Sequence, residues 1–303
     1  MTPAQFAQLV LLAAIWGASF LFMRIAVPQI GPSWLLEIRL FSAALALLVM
    51  AQWIREPLRV KRYWKHYLFL GCFNTAIPFF TMAWAASTLP ASVLSVINAT
   101  APLCGLVVGF LWRGKPIGWQ AALGLMCGMA GVATIAGVGG SEIGADQLTA
   151  VVVCLLAPVC YGIASSYAEY AERVPAFANA HGSLWASVAL IVPLMFVAPV
   201  PTSWPASAVA AGIALGVVCS GMAYLLYFHL VSTVGAASAL TVGYLIPLFG
   251  VTWGWLFLGE PVGWNTFGGA ALVLTGTALV TGMNPRRFLR RRPRLDDSPS
   301  GQA

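Results

Sequence analysis

The side chains of this chain that could bind a solute are polar or aromatic groups inside long apolar runs. Arg39 is the one arginine that lies well inside such a run. A charged side chain is costly in hydrocarbon, so its presence there is informative. Arg39 predicts an anchor for an anion or carboxylate, or part of a gate. A structural arginine that extends toward the interface, or caps a neighbouring helix, is the alternative.

The other candidates are amides, hydroxyls and aromatic rings, which can hydrogen-bond or stack on a small organic solute. Two of them, Asn98 and Tyr244, lie a few residues before Pro102 and Pro247. Proline frees backbone carbonyls, which are tolerated only where protein or water satisfies them. A contact between helices is the alternative role for each candidate. The predicted substrate-binding residues are Trp16, Arg39, Asn74, Trp84, Asn98, Tyr224, Tyr227, Thr241 and Tyr244.

The segments that carry these residues are apolar enough to lie in lipid. Hydrophobic residues make up 60% of the 303-residue chain and charged residues 8%, whereas soluble domains are about 25% charged. Continuous apolar runs of about 20 residues indicate transmembrane helices rather than barrel strands. The fold prediction is an all-α integral membrane protein in a lipid bilayer. Its ten predicted spans are 5–24, 33–53, 67–88, 92–112, 117–138, 148–168, 179–199, 207–230, 236–258 and 263–282.

The basic residues predict the orientation of the chain in the cell membrane. All of the 16 lysines and arginines except Arg24 and Arg39 fall on the side that holds both termini. By the positive-inside rule, both termini are predicted to be cytoplasmic. The basic tail, 284–303, is predicted to be disordered. Basic residues confined to short loops and a tail indicate orientation and anionic lipid as a partner, and no nucleic acid.

A short turn is written twice, as Gly-Lys-Pro-Ile-Gly-Trp from residue 114 and Gly-Glu-Pro-Val-Gly-Trp from residue 259. The same offset of 145 residues pairs Gly17 with Gly162, Ser42 with Ser187, Gly71 with Gly216, Gly105 with Gly250, Gly124 with Gly269 and Gly131 with Gly276. An odd number of spans per repeat would invert the second copy. That inversion explains why Lys115 is replaced by Glu260 on the side where basic residues are avoided.

The repeat predicts two inverted five-helix halves, 1–140 and 146–283, joined by a glycine-rich linker at 136–147. Inverted repeats of this kind are typical of secondary transporters.

These features together resemble a known family. They are Trp-Gly-Ala-Ser-Phe from residue 16, Arg39 in Ile-Arg-Leu-Phe, the repeated turn, and the prolines of the fourth and ninth spans. The chain resembles an EamA-type member of the drug/metabolite transporter superfamily over nearly all of 5–283. The resemblance implies ten helices around a central cavity lined by helices three, four, eight and nine. It also implies outward movement of metabolites such as amino acids.

The functional prediction is a secondary transporter that works by alternating access on amino acids or similar small neutral or zwitterionic metabolites. An intramembrane enzyme and a non-catalytic scaffold or channel are the alternatives. The sequence lacks HExxH, GxSxG and paired deep carboxylates, so no catalytic residue is predicted. The six cysteines form no CxxC motif, and neither a metal nor a cofactor is predicted. The sequence does not indicate an oligomeric state.

Overall fold

The computed structural model describes residues 2–114, 116–135 and 144–281, and nearly all of them are helical. These residues include no β-strand, so the prediction of an all-α protein is confirmed. Lys115, most of the predicted linker (136–143) and the whole predicted tail (284–303) lie outside the described residues.

Thirteen α-helices and two π-helical segments follow one another along the described chain. The first π segment, Gly71–Ala76, joins α2 to α3, and the second π segment, Val217–Met222, joins α9 to α10. Each of the ten predicted spans overlaps helical residues of this series. The α-helices are α1 (Pro3–Ile54), α2 (Val60–Leu70), α3 (Ile77–Ala85), α4 (Ala91–Asn98), α5 (Ala101–Arg113), α6 (Trp119–Ile135), α7 (Ala145–Ala168), α8 (Ala176–Met195), α9 (Ala206–Gly216), α10 (Ala223–Val234), α11 (Ala236–Ala239), α12 (Val242–Leu258) and α13 (Trp264–Thr281).

Six helical stretches are long and apolar enough to cross a membrane, by length and composition. They are Pro3–Ile54, Val60–Ala85, Ala91–Trp112, Ala145–Ala168, Ala176–Met195 and Ala206–Val234, and two shorter apolar helices are Trp119–Ile135 and Val242–Leu258. A span needs about 20 residues, so the 52 residues of α1 provide length for two.

Helix α1 divides into two arms at Gly31. This residue has φ +75° and ψ 163°, outside the helical region. Glycine adopts positive φ without steric strain, and Pro32 disfavours helical geometry at the residue before it. The two arms carry different parts of the core. The largest buried apolar cluster joins the first arm to α4, α7, α9 and α12, and a smaller cluster joins the second arm to α3 and α8.

Glycines produce the closest contacts between helices. A Cβ added at Gly124 would lie 2.6 Å from the carbonyl oxygen of Gly276, and one at Gly131 would lie 2.7 Å from that of Gly269. Small residues allow this approach, which is a main source of helix association in lipid. Helices α6 and α13 therefore pack backbone to backbone.

The glycine contacts recur at the offset of the sequence repeat. Gly17 packs against Gly250, and the equivalent residues Gly162 and Gly105 also pack together. Likewise Gly71 packs against Ser187, and the equivalent Gly216 packs against Ser42. At these positions the packing of the two halves follows the repeat in the sequence.

Candidate functional site

A cavity of about 310 Å³ lies inside the helical bundle. Ligand pockets span about 300–1,000 Å³, so this one suits a small solute. The structure brings six of the nine predicted binding residues together around it: Trp16, Arg39, Asn74, Asn98, Tyr224 and Tyr227. The remaining lining residues are Ser19, Phe20, Met23, Phe79, Met82, Tyr161, Cys219, Ser220 and Ile246.

Much of the cavity wall consists of matched positions from the two halves of the chain. The offset of 145 residues relates Trp16 to Tyr161, Asn74 to Cys219, Phe79 to Tyr224 and Met82 to Tyr227, and all eight side chains line the cavity. Applying the offset to Asn74 and Tyr224 identifies Cys219 and Phe79, which the sequence analysis did not select.

Arg39 is the cation of the cavity, and only 6% of its surface is exposed. Its Nε donates to Ser220 Oγ at 3.4 Å, and its guanidinium carbon lies 3.6 Å from the centroid of the Phe79 ring. Its Nη1 is buried and makes no hydrogen bond to any residue that the structure describes. Among the described residues that line the cavity, none is acidic. The positive charge of Arg39 is therefore not balanced by a carboxylate among the described lining residues.

The two π segments deliver polar side chains to the cavity. The first carries Asn74, and the second carries Cys219 and Ser220. Ser220 Oγ also donates to the carbonyl oxygen of Leu215 at 3.1 Å. A π turn contains one more residue than an α turn and often marks a functional site. Both segments begin beside a glycine that packs tightly on a neighbouring helix, Gly71 or Gly216.

Asn98 reaches the cavity from the end of α4. Helix α4 ends at Asn98, and Pro102 lies in the first turn of α5. Proline has no backbone N–H to donate to a hydrogen bond. The carbonyl oxygen of Ala99 accepts a hydrogen bond from Thr277 Oγ1 at 3.0 Å. A hydroxyl of α13 thus satisfies a carbonyl that the helix break leaves free.

Three predicted binding residues are not among those that line the cavity. Tyr244 Oη donates to the carbonyl oxygen of Thr277 at 3.2 Å and also contacts Thr281 Oγ1. Thr241 Oγ1 donates to the carbonyl oxygen of Ser238 at 2.6 Å. Trp84 is half-buried and packs against the larger core cluster. In the structure these side chains make contacts within and between helices.

A second cavity of about 170 Å³ adjoins the first. The two share Asn74, Tyr224 and Tyr227 as lining residues. The smaller cavity is also lined by Leu184 and by Asn179, whose Oδ1 lies 3.0 Å from His66 Nε2. It therefore extends the central cavity toward the end of the bundle that holds α2.

Comparison with known proteins assigns the chain to a family. The model of the EamA-like transporter family matches residues 6–137 and 148–282. The chain belongs to the EamA-like transporter family. The resemblance drawn from the sequence is confirmed, and the protein is a multi-pass membrane transporter; its kinship points away from an enzyme.

Two relatives resemble this EamA-like transporter over nearly its whole length. The uncharacterized transporter YvbV of Bacillus subtilis is 25% identical, with 90% of each chain covered. A probable terminal-alkyne amino-acid exporter of Streptantibioticus cattleyicolor is 26% identical, with 94% of each chain covered. A solved crystal structure at 19% identity covers 92% of this chain and 97% of its own, with a TM-score of 0.60, and supports the fold alone.

A mostly buried ionic cluster, here called the Arg24–Glu260 cluster, lies at one end of the bundle, where α12 ends and α4 begins. Arg24 Nε donates to Glu260 Oε1 at 2.8 Å, and Arg24 Nη1 donates to the carbonyl oxygen of Ala86 at 2.7 Å. Glu260 Oε2 accepts from the backbone N–H of Ala91 at 2.8 Å, at the first residue of α4. A carboxylate at a helix N-terminus is stabilised by the free N–H groups there.

The sequence places Glu260 in a turn at the end of a span and does not predict its burial. The structure buries it to 7% exposure. A Cβ at Gly254 would lie 2.6 Å from Glu260 Oε2, so the glycine leaves room for the carboxylate. Glu260 thereby links the end of α12 to α1 and to the first residue of α4.

The opposite end is joined by more exposed groups. Arg62 Nη2 forms an ion pair with Glu172 Oε1, and both side chains are more than half exposed. Exposed ion pairs contribute about 0–1 kcal/mol. The two ends therefore differ in the strength of the polar contacts that hold them.

Proposed function

We propose that this EamA-like transporter exports amino acids or similar small carboxylate-bearing metabolites through the central cavity. The observation that carries the proposal is Arg39, a buried cation at the wall of a cavity whose described lining residues include no acid. Arginine presents a planar fork of donors that matches a carboxylate. The name of the S. cattleyicolor relative, an amino-acid exporter, agrees with a substrate of this class.

The proposed architecture is ten transmembrane helices in two inverted halves, 1–140 and 146–283. The glycine contacts that recur at the 145-residue offset support it, as do the matched residues around the cavity. The distribution of lysine and arginine supports a cytoplasmic location for both termini. In this orientation the Arg24–Glu260 cluster faces outward and the second cavity faces the cytoplasm.

Transport is proposed to proceed by alternating access. The second cavity offers a path from the cytoplasm, past Asn74, Tyr224 and Tyr227, to Arg39. The Arg24–Glu260 cluster joins α1, α12 and the α3–α4 turn, so it must separate before the solute leaves on the outer side. Rocking of one half against the other about a midplane site would open each end in turn.

The test is uptake into proteoliposomes that contain only this protein. A panel of radiolabelled amino acids and small aromatic metabolites is measured with and without an imposed pH gradient. We expect saturable uptake of at least one monocarboxylate, lost in Arg39→Gln and retained in Arg173→Gln, because Arg173 is exposed. Preference for a multiply charged anion, such as a sugar phosphate, or full activity in Arg39→Gln would contradict the proposal.

A further inference from the structure

The charge balance of the central cavity ranks the solutes that it can accept. We propose that the cavity prefers small monocarboxylates whose nitrogen is uncharged or absent, such as N-acylated amino acids and 2-oxo or 2-hydroxy acids, over the corresponding zwitterionic amino acids. The inference rests on the proposed function, in which a solute carboxylate binds Arg39, and it names the substrate class of that site more closely.

The first step concerns what Arg39 can still bind. Ser220 already occupies its Nε, and the Phe79 ring covers one face of its guanidinium. Its Nη1 is buried and makes no hydrogen bond to a described residue, and Arg39 is one of the residues that line the cavity. These contacts hold the guanidinium at the cavity wall, so a solute carboxylate in the cavity can lie beside it. A carboxylate there forms a charge-assisted hydrogen bond and neutralises the buried cation.

The second step concerns the rest of the solute. The other polar groups of the wall are neutral, and they include the amides of Asn74 and Asn98 and the hydroxyls of Tyr161, Tyr224 and Tyr227. They can hydrogen-bond an acylated nitrogen, a keto oxygen or a hydroxyl. They can also face an ammonium, and the rings of Trp16 and Tyr227 can attract a cation. None of them carries the negative charge that would neutralise an ammonium.

The third step is the balance of charge in each complex. Arg39 and a monoanion give a neutral cavity, whereas Arg39 and a zwitterion leave one positive charge in excess. An ion removed from water without a counter-ion is strongly disfavoured. The small number of charges within the spans by itself predicts neutral or zwitterionic solutes. The arrangement around Arg39 instead favours a solute that contributes one net negative charge.

The experiment compares four ligands that share one carbon skeleton. The purified protein in nanodiscs is titrated calorimetrically at pH 7 with leucine, N-acetylleucine, 4-methyl-2-oxopentanoate and leucinamide. We expect N-acetylleucine and the oxo acid to bind at least tenfold more tightly than leucine, and leucinamide not to bind. Leucine binding as tightly as N-acetylleucine overturns the inference but leaves the proposed function intact. Absence of binding by all three carboxylates, together with no uptake in proteoliposomes, overturns the proposed function itself.

A variant that restores the missing negative charge provides the second readout. Asn98→Asp adds a carboxylate to the cavity wall and should reduce the preference for N-acetylleucine over leucine at least tenfold. Asn265→Asp is the matched control, because Asn265 is exposed at the start of α13 and should leave the ratio unchanged. An unchanged ratio in Asn98→Asp, or an equal change in Asn265→Asp, would count against charge balance as the cause.

Discussion

The two π segments occupy equivalent places in the two halves of the chain but have different neighbours. Gly71 begins the first segment and packs on Ser187, and the equivalent Gly216 precedes the second and packs on Ser42. Beside the second segment Arg39 contacts Ser220. The residue equivalent to Arg39 in the other half is Leu184, which is buried to 1% exposure in the apolar core.

This comparison distinguishes the residues that pack the helices together from the residues that could bind a solute. The glycine contacts that allow close helix packing occur in both halves, whereas the buried cation occurs in one. The matched wall residues also differ in polarity. Tyr224 and Tyr227 in the second half are equivalent, at the offset of 145, to Phe79 and Met82 in the first. Helix contacts that recur at the 145-residue offset can therefore enclose a cavity whose lining differs between equivalent positions.

The largest expected effect is on stability, and it concerns Leu184, the apolar residue equivalent to Arg39. Leu184→Ala removes a fully buried side chain and should destabilise the protein by about 2–5 kcal/mol. The tight contacts around the first π segment limit how far neighbouring residues can move to fill the space that the leucine leaves. Thermal unfolding in detergent measures this loss. Affinity for a carboxylate ligand should stay within a few-fold of the unaltered protein; a large loss of affinity would show that the equivalent positions share one function.

The second prediction concerns ligand binding by Arg39, the charged residue of this pair. Arg39→Gln should weaken carboxylate binding by about 1.5–3 kcal/mol, the contribution of hydrogen bonds to charged groups. Calorimetric titration measures the dissociation constant. Stability should change less than in Leu184→Ala, since the substitution removes a buried charge whose Nη1 makes no hydrogen bond to a described residue. If Arg39 instead has a purely structural role, stability would fall while the dissociation constant of the folded fraction stayed the same.

The third prediction tests the glycine contacts that occur at equivalent positions in both halves. Gly71→Ala and Gly216→Ala each place a Cβ against a neighbouring backbone, and each should destabilise by about 1–3 kcal/mol through overpacking. At Gly71 the new Cβ would lie 2.8 Å from the Ser183 carbonyl oxygen. At Gly216 it would meet the carbonyl of Arg39, so only Gly216→Ala should also weaken ligand binding.

The control for the glycine variants is Gly268→Ala in α13, where no atom of the described residues is in contact (within 4 Å) with the added Cβ. It should be neutral or slightly stabilising, because alanine has the higher helix propensity. Equal losses in all three variants would indicate a general effect of the substitution rather than the close packing at the π segments.

The fourth prediction compares the two ends of the bundle. Glu260→Gln removes one charge of a mostly buried cluster and should shift the equilibrium toward outward opening by about 1–2 kcal/mol, between the values for exposed and buried pairs. Cys219 lines the cavity and is buried. In a variant that retains Cys219 as its single cysteine, labelling by an impermeant maleimide from outside should rise about 5–30-fold.

The matched substitution at the other end is Arg62→Gln, which breaks an exposed ion pair. It should change outside labelling of Cys219 less than about twofold, since such a pair contributes under about 1 kcal/mol. Labelling that rises in Arg62→Gln and not in Glu260→Gln would reverse the assignment of the two ends.

The smallest expected effect separates the tyrosines that line the cavity from one that does not. Tyr227→Phe removes a hydroxyl from the cavity wall and should weaken carboxylate binding by about 0.5–1.5 kcal/mol. Tyr244→Phe removes hydrogen bonds to α13 and should lower stability by a similar amount without changing affinity. Measuring both quantities in both variants tests the assignment.

Much of the site could be predicted from residue types inside apolar runs. Trp16, Arg39, Asn74, Asn98, Tyr224 and Tyr227 were selected as polar or aromatic side chains in spans, and they lie around one cavity. Thr241 and Tyr244 carry the same signal but hydrogen-bond to carbonyls of their own or a neighbouring helix. The cost of a polar group in lipid does not depend on whether a solute or a helix satisfies it.

The sequence by itself determined the helical class, the family and the 145-residue repeat, because these depend on local hydropathy and on glycine, proline and tryptophan in one register. The tertiary structure alone decided the π segments, the contact of Arg39 with Ser220, and the burial of Glu260 against Arg24. Arg24 and Glu260 are 236 positions apart in the chain. Contacts of that kind depend on helix rotation and close packing, which residue type and spacing do not specify.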